Sequence, residues 1–500
     1  MISKSLFIMT VAFASPCLMQ GQVKDPFNSS RQVAGSKNPS AFNRSRASNF
    51  NDYRQKLNAE YVSKTREKWK SFNSYRGLTP PDKDVKPVPP VKMSEEEARR
   101  EKQDKQLDID GVVKPVRNNK APQPIAPVPE VPEEGAQSLS FTYLNTLLKV
   151  RRPQDGRIAL SGTSENAVAN AWEKLCKPEY NNMLVDCMKL RSSLKLCDWA
   201  YLMMLKELGS SYCGGNTNEA TLLTAYLFSQ SGYRIRLGEA NGRLEMLYAS
   251  QHTIYGVPYF NVDGENFYTM SPGVTNIHIN AAKYPKEQSL SLWVANDPQV
   301  SYAASPVRTL TSERYPEISV RTSVNKNLLP FFTSYPSSEV GGNVMTRWAM
   351  YANTPLCQQS KSELYPQLRG FIGGRSQLDA VERLLNWVQT AFVYEYDDKV
   401  WGGDRAFFPE ETLYYPYCDC EDRSILFTRL VRDLLGLKCI LVFYPGHLAS
   451  AVCFTEPVNG DYIQVNGEKY VVCDPTYIGA SVGHTMPDMD NRSAKVIVLQ

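Results

Sequence analysis

The chain has 500 residues, too many for a single hydrophobic core, so two or three domains joined by linkers are expected. A formal net charge of +4, with 22% charged residues, is close to balanced, and no long basic block gives a nucleic-acid footprint. No apolar run is long enough to cross a bilayer.

Residues 1–22 read as a signal peptide: Lys4 supplies the positive start, residues 6–14 (LFIMTVAFA) the short apolar stretch, and small or polar residues follow. The mature protein is therefore expected to be exported, whether periplasmic, cell-surface or secreted. Removing Cys17 with this leader leaves ten of the 11 cysteines. An even number in an exported chain allows disulfides. Several of them sit in apolar runs, as Cys439 does in LKCILVF, so most read as core thiols with at most one or two bridges.

Residues 23–136 are rich in Asn and Ser, then in Pro (TPPDKDVKPVPPVK, APQPIAPVPEVPEE), with the charge run SEEEARREKQDK between. That composition predicts a largely disordered, extended spacer. Within it Phe50, Tyr53, Leu57, Tyr61, Trp69 and Phe72 recur at helical spacing, which predicts an amphipathic helix near 49–75. Its apolar face needs a surface, on this chain's own domain or on an envelope partner.

From 137 the composition becomes globular. Residues 165–212 read as successive helices and 220–272 as a helix followed by short strands, within a first domain at 137–300. Residues 301–365 read as a connector or β segment. The pattern of helix then strands returns in a last domain at 366–500. A repeat at this scale is expected.

The chemistry concentrates in YPYCDCEDRSILFTRLVRDLLGLKCILVFYPGHLASAVCF and the later NGEKYVVCDPTY. Glu421 and Asp422 follow Cys420, and Leu426, Leu430 and Leu434 recur one helical turn apart, so Cys420 falls at a helix start. Unpaired N–H groups there stabilise a thiolate, and a neighbouring imidazolium can bring the thiol pKa to roughly 3.5–7.5. The two acids oppose that shift. Gly436 ends the helix, residues 439–444 read as a buried strand, and His447 opens the next one after Pro445-Gly446. Asn466-Gly467 is a hairpin signal, and the strand beyond it ends at Asp474. Antiparallel pairing would bring His447 and Asp474 beside the helix start. A thiol nucleophile, a base and a group orienting that base are the parts of covalent acyl transfer. Cys418 is the competing nucleophile, and a zinc set of Cys418, Cys420, Cys473 and His447 is a competing use of the same residues, although CxC is not the usual ligand spacing.

These residues resemble the transglutaminase-like cysteine enzymes, a papain-like superfamily. The resemblance rests on Cys-x-x-x-Ser at 420–424, His447 at a strand start and Asp474-Pro475 at a strand end. It extends upstream through LDAVERLLNWVQTAFVYEYDD and FPEETL and covers about a quarter of the chain. It implies catalytic roles for Cys420, His447 and Asp474, and more loosely an oxyanion role for Trp401. Leu448-Ala449 follows the histidine where family members usually carry a bulky residue.

Residues 213–273 read as a degenerate copy. Aligning Gly232 with Gly436 sets Asn216 at the place of Cys420, and aligning GENFYTMSPG with GEKYVVCDPT sets Ser271 at that of Asp474. His252 then stands for His447, and Cys213 is a substitute nucleophile. The expected fold is α+β, with two papain-like, transglutaminase-like domains behind the N-terminal segment. The expected function is thiol-dependent hydrolysis or transfer at amide bonds of a protein or peptide. The contrasting reading is a non-catalytic envelope adaptor. Nothing in the sequence calls for a metal, nucleotide or redox cofactor.

Overall fold

The computed structural model describes residues 41–79, 87–99, 101–117, 121–132, 137–154 and 156–500, with side chains of the first helix from residue 50. The signal-peptide reading of 1–22 lies outside them. The architecture is mixed helix and sheet. No helix among the described residues is long and apolar enough to cross a membrane.

Two sheets dominate, the first antiparallel and the second mixed, each preceded by a buried helix. In the first unit, helices Glu165–Leu175, Asn181–Ser193, Asp198–Cys213 and Asn218–Gln230 precede strands Ile235–Ala240, Arg243–Ala249, Tyr259–Val262, Glu265–Thr269 and Asn276–Ile279. In the last unit, helix Cys420–Leu435 precedes strands Lys438–Tyr444, His447–Cys453, Asp461–Val465, Glu468–Cys473 and Lys495–Val498. Numbering the five strands of each unit in chain order, both sheets run fifth, first, second, fourth, third. The registers agree as well. Thr269 lies opposite Leu247, four residues into the strand that Arg243 opens, and Val472 lies opposite Ala451, four residues into the strand that His447 opens.

Turn chemistry accounts for much of this. Asn241-Gly242, Asp263-Gly264 and Asn466-Gly467 all have positive φ at both positions (53° and 77°, 53° and 83°, 52° and 83°), the requirement of the two-residue hairpin turn that matches strand twist. Gly436 (φ 67°) ends the last unit's helix in the left-handed conformation. Between the units, Arg308–Thr311 and Ser319–Thr322 form a separate hairpin, followed by short helices.

The N-terminal segment departs from its predicted spacer role. Helix Ala41–Thr65 buries Leu57, Tyr61 and Val62 on the first unit, where the Tyr61 ring stacks on Trp172 at 4.7 Å and Tyr284 at 4.4 Å. It docks on its own chain, and it stops before Trp69. Lys70–Asn73 instead pairs with Asn276–Ile279 on one edge of the first sheet, and Tyr75 exchanges two main-chain hydrogen bonds with Tyr259 on the other (2.7 and 3.3 Å). Further on, Lys105–Gln106 pairs with Asp461–Val465 and Gly111–Val113 with Lys495–Val498, the two edges of the second sheet. An extended chain with few aliphatics cannot build a core, but its backbone donors and acceptors can complete sheet edges that are otherwise unpaired.

Leu107, 4% exposed, is the main apolar anchor of this strap on the second sheet. Leu107→Ala is expected to cost about 2–4 kcal/mol in denaturant unfolding and to open residues 101–117 to limited proteolysis. Rapid cleavage there in the unaltered protein would contradict the strapped arrangement.

Candidate functional site

Asp419 caps helix Cys420–Leu435, with the Asp422 carboxylate accepting in return from the Asp419 N–H at 3.3 Å, so Cys420 is the first helical residue. Ile425, Leu426, Leu430 and Val431 bury the helix and fix where its start lies. Cys420 is 3% exposed. Its thiol donates to Glu421 Oε2 at 3.3 Å, and the Leu448 amide is placed to favour its thiolate. Burial, and then the charges of Glu421 and Asp419, hold the thiol well above its ordinary range.

The Pro445-Gly446 turn, with Gly446 at φ 78°, delivers His447 to the start of its strand. The imidazole is fully buried and its Nε2 lies 2.8 Å from Asp474 Oδ2. Asp474 is itself held, because Oδ1 accepts from the N–H groups of Thr476 (2.8 Å) and Tyr477 (3.3 Å). His447 Nδ1 has no hydrogen-bond partner among the described residues. Thus His447 and Asp474 are joined, and the helix that Cys420 opens is tied to the residue after His447 by Ser424 Oγ, which donates to the Leu448 carbonyl at 2.7 Å. Thiol and imidazole are not hydrogen-bonded to each other.

Two buried polar residues missed by the sequence reading hold the Asp474 loop. Gln389 Nε2 donates to the carbonyls of Asp474 (3.0 Å), Tyr477 (2.8 Å) and Ala480 (3.1 Å), and its Oε1 accepts from the Gly479 N–H at 3.2 Å. Arg423, one turn after Cys420 and 1% exposed, donates to the carbonyls of Gln389 (2.9 Å) and Phe392 (2.7 Å). The available signal was a polar side chain on the buried face of an apolar helix, as Gln389 is in LLNWVQTA.

The competing residues sit elsewhere. Cys418 lies in a short strand beside Val393, with burial pushing its thiol up to about 11. Cys213 ends a helix, at the pole that disfavours an anion, and burial and Glu219 push it up to about 12. Trp401 packs against Phe407 and Tyr415 under the Arg405 guanidinium. Cys418, Cys473 and His447 form no common ligand set among the described residues. All ten described cysteines are free thiols.

Carboxylates crowd the nucleophile instead. Asp419, Cys420 and Glu421 bring their ligand atoms within 4.8 Å of one another, as do Asp397, Asp419 and Asp422, and Asp397, Asp404 and Glu421. These are the residues that could hold a metal, and a set dominated by carboxylate oxygen suits a hard divalent cation better than zinc. Burial first, and then mutual repulsion, raises Asp419, Asp422 and Glu421 above the usual carboxylate range and brings Asp397 to about 8.

In the first unit the strand register departs from the sequence alignment. Arg243, not His252, opens the strand equivalent to that of His447. His252 lies beyond the far end of that strand, with neither ring nitrogen partnered among the described residues and burial lowering it to about 3. Asn216 precedes the helix by two residues, and Asn218 is its first residue. Asn218 Oδ1 accepts from the N–H of Leu244 at 3.0 Å, and Leu244 follows Arg243 as Leu448 follows His447. The first unit therefore sets Asn218, Arg243 and Ser271 where the last has Cys420, His447 and Asp474. No family model, curated protein or solved structure matches the chain.

Gln389→Leu strands three carbonyls and one N–H, and is expected to cost about 2–4 kcal/mol of stability in denaturant unfolding. The carboxylate cluster predicts a pH effect. Asp397 rises from about 3.9 unfolded to about 8 folded, so the fold favours its neutral form. That stabilisation is complete below about pH 4 and is lost as pH rises through about 8. Melting temperature should therefore fall between about pH 5 and 8, and Asp397→Asn should flatten the decline. An unchanged slope in the variant would remove Asp397 from the account.

Proposed function

We propose that this chain is an exported thiol enzyme of transglutaminase-like type, acting on amide bonds of a protein or peptide, with hydrolysis favoured over cross-linking. The observation that carries the reading is the buried imidazole. His447 has one nitrogen on Asp474 and the other unclaimed among the described residues, and its own strand is tied through Leu448 to Ser424 of the helix that the thiol opens. The fold reading, a papain-like unit preceded by a related silent one, is supported by the shared strand order and register.

Because burial and acids raise the thiol, the reading calls for base-assisted attack rather than a preformed thiolate. The Cys420 S–H proton passes to His447 Nδ1 as sulfur bonds to the carbonyl carbon. The C–N bond then breaks, and the amine leaves with the proton from Nδ1. Water attacks the thioester, giving a proton to Nδ1, and the acid departs as the sulfur recovers that proton. Asp474 holds the ring and stabilises the imidazolium. The lone pair at Nδ1 must face the thiol for this, which the Nε2–Asp474 contact favours.

A second reading, a binding or adaptor protein that keeps the fold without chemistry, is favoured by one observation: the thiol is buried and its partner is Glu421. Iodoacetamide labelling of the folded protein, mapped cysteine by cysteine by mass spectrometry, separates the two. The enzyme reading expects Cys420 to label at least about 10-fold faster than Cys418 or Cys473. His447→Ala should abolish that excess, and Glu421→Gln should increase it by removing a charge that opposes the thiolate. A rate at Cys420 that ignores His447 would leave the adaptor reading.

A further inference from the structure

The first unit contains a cavity of about 290 Å³, at the small end of ligand pockets, beside the residues equivalent to the triad. Ser271, the counterpart of Asp474, lines it, as does Asn216 just before the helix. Its most unusual feature is Glu245. This carboxylate is 7% exposed and lines the cavity, yet its one hydrogen bond among the described residues comes from Thr269 Oγ1 at 3.3 Å. No cation is paired with it among the described residues. The contrast within the same unit is plain. Buried Asp198 pairs with Arg191 at 2.7 Å, and buried Glu287 with Arg236 at 2.8 Å. An unpaired buried carboxylate is costly, and a site that keeps one gains most from a ligand that brings the missing positive charge.

The rest of the lining narrows that ligand. Lys206 and Glu207, both exposed, cancel in charge, so Glu245 sets the sign of the cavity. Met270 offers an apolar, adaptable wall to an alkyl stem. The amide of Asn216 and the hydroxyl of Ser271 can hydrogen-bond peptide groups. We infer that this cavity is a binding site for a lysine side chain of a peptide, with the ammonium on Glu245, the methylene stem along Met270 and the peptide groups at Asn216 and Ser271. The unit that lacks a nucleophile thus keeps a recognition pocket beside its silent triad. Binding here requires no chemistry at Cys420.

The test uses the full chain and three probes in ligand-observed NMR titration: Nα-acetyl-lysine methylamide, its norleucine counterpart without the charge, and n-butylamine without the peptide groups. The expected result is saturable millimolar binding of the lysine derivative, weakened at least about 10-fold for both other probes. The same loss is expected in Glu245→Gln, an isosteric change that keeps the Thr269 contact, with an unfolding transition matching that of the unaltered protein. Cys420 labelling in that variant should equal that of the unaltered protein, which separates failure at this cavity from failure of the thiol reading. Four outcomes would overturn the inference: no saturation by the lysine derivative at tens of millimolar, equal binding of the norleucine probe, undiminished binding in Glu245→Gln, or equal binding of n-butylamine, which would reassign the cavity to free amines.

Discussion

Both units are organised by a hydrogen-bonded staple between the first turn of a helix and the second residue of a strand. In the last unit Ser424 Oγ donates to the Leu448 carbonyl at 2.7 Å. In the first unit Asn218 spans the same gap, accepting from the Leu244 N–H at 3.0 Å and donating to the Gly242 carbonyl at 3.2 Å. In each unit a helix side chain meets main-chain groups at the strand start, and so fixes where that strand begins. Whichever residue opens the strand, His447 in one unit and Arg243 in the other, is carried to the same place.

Around this staple the last unit accumulates buried charge. Arg423 finds carbonyls rather than a carboxylate, and Asp397, Asp419, Glu421 and Asp422 crowd together with raised proton affinities. Such groups are expensive to bury, and their concentration at one helix start marks where the fold departs from plain packing. The acids also make the thiol's own environment hostile to a thiolate. His447, with one nitrogen on Asp474 and the other unpartnered among the described residues, opens the strand that Ser424 fixes to this helix.

Local signals made most of the last unit legible in the sequence. Acids after Cys420 mark the helix start, Gly436 its end, Pro445-Gly446 the turn before His447, and Asn466-Gly467 the next hairpin; each acts within a few residues. What was not legible acts at long range. Gln389 reads as an ordinary polar residue until the Asp474 loop folds over it. Composition marked the 23–136 segment as an extended spacer, but composition cannot register that two sheets leave edges for it to complete, nor that Leu57, Tyr61 and Trp69 find a core to join. In the first unit, matching histidine to histidine was misleading because the hairpin turn Asn241-Gly242, not the residue type, sets the equivalent strand start. Counting from that turn finds Arg243.

The strap across the sheet edges also constrains the order of assembly. Gly111–Val113 lies parallel to Lys495–Val498, so a strand made early in synthesis has no partner until one far later in the chain is made. Lys105–Gln106 waits almost as long for Asp461–Val465. A pairing this distant in sequence is slow to form, and until it forms the second sheet stands with open edges. Proline and charge in the waiting segment suit that interval, since such a chain neither collapses nor pairs with the wrong strand. The segment 101–117 is thus a late closure of the second sheet, whereas the first sheet, edged by Lys70–Asn73 and Tyr75, needs nothing beyond Asn276–Ile279.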